Sequence, residues 1–204
     1  MKKYLFLIPF FILGILNAQK KKEDDSDKKE KAEKTIADLT KSSKKISGLF
    51  TIYQDTISGS IKMVVKENQL NKDFIYFSQI ADGVTEAGNF RGYYQGSSIF
   101  NIKRYFNKIE IIAPNTNFYF DPENPLSKSK NANTSDALIS SNKILAHDKK
   151  TDLYLIDANN LFLSEALTRV KSPRSPGANP MAFSLGSFDK NKSKIKAIKN
   201  RNSD

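Results

Sequence analysis

The chain has 204 residues and a formal net charge of +11; 39% of it is hydrophobic and 27% charged, with no Cys, no Trp and a single His. Without Cys, disulfide scaffolds, iron–sulfur clusters, thiolate zinc centres and Cys nucleophiles are excluded, and one His excludes any site built from two imidazoles of this chain. The length accommodates one or two small domains.

Met1-Lys2-Lys3 is basic, residues 4–16 (YLFLIPFFILGIL) are an apolar run, and Asn17-Ala18 precede the charge that begins at Lys20. A basic start, an apolar stretch and a small residue at the cut predict a signal peptide over 1–18, cleaved after Ala18. The run is short against the ~20 apolar residues of a spanning helix. The expected product is exported, periplasmic or secreted, with no stable membrane anchor after cleavage.

Charge divides along the chain. Residues 19–45 carry ten Lys and seven acidic residues, 46–168 carry twelve basic and thirteen acidic, and 169–204 carry nine basic and two acidic. The body is therefore near neutral and the basic excess sits at the ends, where aromatics are few. That is the pattern of solvated tails, and no nucleic-acid partner is expected.

Residues 19–45 read as a charged leader, in part helical, because Ala32, Ile36 and Leu39 fall at helical spacing and Glu30 stands four before Lys34. From Ile46 the pattern is that of strands. Residues 48–53 (GLFTIY) form one, and Ser58-Gly59 closes a turn. Ile61, Met63 and Val65 then alternate with Lys62, Val64 and Lys66 as in a half-buried strand. Asn71-Lys72-Asp73 is a turn, and 74–80 (FIYFSQI) is apolar on both faces, which predicts a central, doubly covered strand. Strands are expected at 89–94 and 98–106 with Gly96 between them, and Phe100, Ile102 and Phe106 share a face of the second. Asn107-Lys108 turns the chain into a strand at 109–113, and 118–120 is another short one. The polar stretch 121–135 (DPENPLSKSKNANTS) is a long loop. Residues 143–148 and 152–157 predict a hairpin, and Asn159 is placed to cap a short helix running to Leu167. Residues 169–204 read as a Pro-containing linker and basic tail, the start of further strands.

The expected fold is β-dominated (α+β). Antiparallel sheets form a sandwich or a strongly curved sheet over 46–168, with one or two short helices.

Chemistry-bearing clusters are sparse. His147 beside Asp148 reads as a strand-end residue near a turn. Glu86, Asp121 and Glu123, with Asn131 and Asn133, supply oxygen ligands of the kind calcium takes, but at no calcium-loop spacing. Gly83, Gly88, Gly92 and Gly96 lack the Lys-Ser/Thr of a phosphate loop and read as turn residues. Tyr93-Tyr94 and Phe118-Tyr119-Phe120 could stack on sugars, but read first as core and cross-strand packing. No catalytic, cofactor-binding or metal-binding residue is assigned.

Four stretches carry a family resemblance: FTIYQD at 50–55, DFIYFSQIADGVTEAGNFRG at 73–92, NTNFYFDPENPLSKSKNANTSDA at 115–137 and YLIDANNLFLSEAL at 154–167. Together they resemble the N-terminal region, of unknown function, of secreted zinc-dependent metalloproteases of Bacteroidetes type, over roughly residues 35–200. The resemblance implies a peptidase domain that follows this region and holds zinc through an H-E-x-x-H helix and a further His. This chain has no such motif, since no Glu follows His147 and there is no second His. The implied role is a non-catalytic module that supports or shields a peptidase domain absent from this chain, which then stops short of the chemistry. Zinc is expected in the full-length family and not here. An independent extracytoplasmic module for glycan or peptide is the alternative.

Overall fold

The structure is a computed structural model that describes residues 34–171, 176–177, 179, 183 and 185–200, with the side chains of Asn131 and Asn133 outside that set. The predicted signal peptide, most of the leader and part of the linker lie outside the described residues.

The β-branched and aromatic residues of the body form eight strands among the described residues. They are β1 (Ser43–Ile46), β2 (Thr51–Asp55), β3 (Ile61–Lys66), β4 (Asp73–Gln79), β5 (Tyr94–Tyr105), β6 (Lys108–Ala113), β7 (Ala137–Asp148) and β8 (Leu153–Asp157). All neighbours are antiparallel, in one open sheet of order β1-β2-β3-β8-β7-β6-β5-β4. The β-dominated antiparallel class expected from the sequence is thus the observed one. Among the described residues helix is limited to single turns: α1 (Ile36–Leu39), α2 (Lys130–Asn133), α3 (Asn159–Phe162) and a few 3₁₀ turns.

The two long strands curve the sheet. Tyr94 to Asn101 of β5 pair with β4, and Asn101 to Tyr105 pair with β6. The first half of β7 likewise pairs with β6, and Ile144 to Asp148 pair with β8. Register slips at Ser78/Gln79, Ile111/Ile112 and Ile144/Ala146 add bulges, which bend a strand and increase its twist. Gly96, at φ +143°, sits in the first of these slips, in a conformation that L side chains rarely adopt.

This coiling brings distant strands over one core. Ile61, Met63 and Val65 of β3 cluster with Ile102 of β5, Ile109 and Ile111 of β6, Tyr154 and Ile156 of β8, and Ala158 and Leu161. Each fully buried Ile contributes about 1.5–3 kcal/mol relative to exposure. Phe50, Phe74 and Phe100 line one side, with ring centroids 5.1 and 5.3 Å apart in succession.

Several expectations are corrected. The run 74–80 is an edge strand with alternating burial: Phe74 and Tyr76 turn inward, while Ile75 and Phe77 are 66% and 70% exposed. Conversely, β3 is buried on both faces, because Val64 stands opposite Leu155 and both are covered. Residues 89–93 are loop, and Gly96 lies inside β5. Phe106 leaves the core face for the tight turn between Tyr105 and Lys108, where its φ is +49°. Residues 118–120 form no strand, and the loop 121–135 contains a 3₁₀ turn and α2.

Asn159 is the first residue of α3 and does not cap it; its Oδ1 accepts from the Ile61 backbone N–H at 2.9 Å, tying α3 to the start of β3. Of the leader, Thr35 caps the single turn α1 through a reciprocal bond with Asp38, and Ser43 to Ile46 pair with β2 as an edge strand. The basic tail is not wholly solvated, since Ile195 and Ile198 pack against the core cluster.

Candidate functional site

The most elaborate polar constellation lies at one end of the core, where β7 and β8 leave their turn. Tyr154 of β8 is buried, and it faces His147 of β7 in register. The two rings stack with centroids 4.3 Å apart at 20°. The Tyr154 hydroxyl donates to Glu67 Oε2 and accepts from Arg104 Nη1 at 3.0 Å. Arg104, near the end of β5, also donates through Nε to the Phe106 carbonyl at 3.1 Å, and its Cζ lies 5.0 Å from the Tyr154 ring centroid. Burial, then the hydrogen bond to Glu67, push the Tyr154 phenol above its usual value, with Arg104 opposing. The phenol is therefore a neutral connector between a carboxylate and a guanidinium, and it fixes both.

His147 Nε2 is buried without a hydrogen-bond partner among the described residues, which leaves the desolvation of that nitrogen uncompensated by them. The ring stacks on Tyr154, is half-buried and borders the adjoining cleft, and it is the single imidazole of the sequence. Nothing in the local sequence signals this cluster, because its members come from Glu67, Arg104, His147 and Tyr154 and only the sheet brings them together.

A cleft of about 1020 Å³ opens beside the cluster. Lys34 to Ala37 form one wall, and Arg104, Phe106, Asn107 and residues 144–150 form the rest. Asp148 organises the turn at its rim. Its carboxylate accepts from the Lys150 N–H at 3.0 Å and from Thr151 Oγ1 at 2.6 Å, and these bonds hold its pKa below the usual carboxylate value.

The carboxylates singled out in the sequence, Glu86, Asp121 and Glu123, belong to no metal-holding group among the described residues. Glu86 lies in the 3₁₀ turn Thr85–Ala87 and accepts from Thr85 Oγ1 at 3.1 Å. Asp121 accepts from the Glu123 N–H at 3.1 Å in a local turn. Asn131 and Asn133 are on α2, and their side chains lie outside the described set. Among the described residues no group of three His, Asp or Glu is arranged to hold a metal ion. Tyr93, Tyr94, Phe118 and Tyr119 are exposed, which corrects the expectation that they pack in the core.

The outer face of β4 to β7 is the other conspicuous surface. Ile75 pairs with Ile99 across β4 and β5, and Ile112 pairs with Leu138 across β6 and β7. Ile75, Phe77, Ile99 and Leu138 are all exposed. β4 ends the strand order, so among the described residues one side of its backbone has no strand partner.

Fold and surfaces together define a curved, open antiparallel β-sheet protein with a cleft of mixed polar and apolar lining at one end and an apolar outer face. Comparison of the chain with family models, with curated proteins and with solved structures gives no match.

Proposed function

We propose that this chain is a non-catalytic, exported module of a zinc-dependent metalloprotease, which supports or shields the peptidase domain of a longer parent protein. The resemblance of residues 35–200 motivates the reading. The single structural observation in its favour is the outer face of β4 to β7, where, among the described residues, Ile75, Phe77, Ile99 and Leu138 stand exposed beside a strand edge with no strand partner. Contiguous apolar surface beside a free edge is the kind of surface a protein partner covers. Zinc and water activation belong to the peptidase partner, and no hydrolytic step is assigned to this chain.

The test is to read the gene and its neighbours for an H-E-x-x-H peptidase domain and to co-express that domain with the chain. The expected result is a complex that Ile75→Lys with Phe77→Lys disrupts. No such coding sequence, or a complex indifferent to both substitutions, overturns the reading.

The exposed aromatics Tyr93, Tyr94, Phe118 and Tyr119 favour a second reading, an independent glycan- or peptide-binding module. Binding on a glycan array that is lost in Tyr119→Ala would select it.

A further inference from the structure

The geometry points to a ligand site separate from the apolar face: the cleft beside Tyr154 binds a small polyanion through its oxyanion groups. Its walls carry Lys34, Arg104, Lys149 and Lys150 against one carboxylate, Asp148. Among the described residues none of these four cations forms an ion pair within 4 Å, whereas Lys41, Lys103 and Lys192 each have an Asp partner. Asp148, its two oxygens held by the Lys150 N–H and Thr151, remains charged and offsets one of the four cations, so positive charge stays in excess. The concentration is local, since residues 46–168 as a whole carry one more acid than base.

Arg104 distinguishes this from a scatter of surface lysines. Nε is fixed by the Phe106 carbonyl and Nη1 by the Tyr154 hydroxyl, so the guanidinium plane is set before any ligand arrives. Its Nη2 donors have no partner among the described residues, and N–H groups of a guanidinium held in place make charge-assisted hydrogen bonds to the oxygens of a phosphate or carboxylate. Lys149 and Lys150 sit on the turn that Asp148 orders, so the rim is also held in place. A volume of about 1020 Å³ suits a small molecule with more than one anionic group.

Isothermal titration calorimetry of the full chain with inorganic pyrophosphate, and in a parallel arm with citrate, tests this and separates phosphate from carboxylate ligands. Saturable one-to-one binding of either probe is expected, weakened about tenfold or more in Arg104→Gln and in Lys149→Gln with Lys150→Gln. Arg104→Lys keeps the charge and loses the fixed guanidinium donors, and it should bind more weakly than the parent chain. Lys128→Gln with Lys130→Gln removes two exposed charges outside the cleft and should leave affinity unchanged. The Lys149/Lys150 variant alters exposed turn residues, so it stays informative if Arg104→Gln fails to fold. No saturable heat for either probe up to about 10 mM, or equal weakening by the Lys128/Lys130 control, overturns the proposal.

Discussion

The rings of Phe50 and Phe74 meet with centroids 5.1 Å apart, although Phe50 leads into the second strand of the sheet order and Phe74 belongs to the last. Hydrogen bonds do not close the sheet; side chains bridge the gap. Phe74 also stacks on Phe100 at 5.3 Å, so its removal opens a cavity between the two ends of the sheet. Phe74→Ala should lower stability by about 3 kcal/mol in urea unfolding, whereas Phe106→Ala, at a residue 78% exposed, should change it by less than about 0.5 kcal/mol.

Asp55 anchors the turn between β2 and β3. Its carboxylate accepts from Ser42 Oγ at 2.5 Å, from Ser58 N–H at 2.7 Å and Oγ at 2.9 Å, and from the Ile57 N–H at 3.1 Å. These bonds, led by Ser42, hold it well below the usual carboxylate value, and Thr35 with Lys41 lowers Asp38 from 3.8 to about 2. A carboxyl whose folded pKa is depressed stabilises the fold above its unfolded pKa, and the effect is lost as pH falls through the folded value. Stability should therefore drop on acidification below about pH 4. Asp55→Asn should be less stable near neutrality and show a shallower acid limb, measured as the urea midpoint against pH.

Tyr154 acts at the opposite limb. Its folded pKa is raised above 10, so its contribution is complete below that pH and is lost as pH rises through the folded value. Tyr154→Phe keeps the ring against His147 and removes the link between Glu67 and Arg104. The expected loss is about 1–2 kcal/mol at neutral pH, with a weaker decline of stability above about pH 10. Circular dichroism melts across pH 8–11 read both. An unchanged alkaline limb would show that the phenol does not carry this dependence.

On the outer face the opposite economy holds. Ile75→Lys and Phe77→Lys place charge on exposed positions of an edge strand, where charge opposes edge-to-edge association. Each should leave the unfolding free energy within about 0.5 kcal/mol of the parent and lower self-association in sedimentation velocity. Ile111→Ala, on the inward face, should cost about 2–5 kcal/mol in the same assay.

Strand positions were largely legible where alternation and turn residues agreed. The turns at Ser58-Gly59 and Asn71-Lys72-Asp73 and the hairpin ending in 152–157 all fall where the local chemistry places them. The differences between pattern and structure share one cause, long-range packing. FIYFSQI is apolar throughout whether it is covered twice or once, and only the strand order makes it an edge. Phe106 fits the 100, 102, 106 face on paper, but the two-residue turn removes it from the strand. Ile195 and Ile198 sit in a Lys-rich stretch whose composition says tail, yet the core accepts them.

By itself, the sequence determined the β-dominated class, the neutrality of the body against its basic ends, and the absence of any two-His or thiolate metal centre, because periodicity, charge and residue inventory are local or additive properties. Only the tertiary structure decided which strands are edges, which aromatics are bare, and that Glu67, Arg104, His147 and Tyr154 meet beside a cationic cleft. Those depend on how β5 and β7 each divide their length between two neighbours, a long-range pairing choice that a local pattern does not encode.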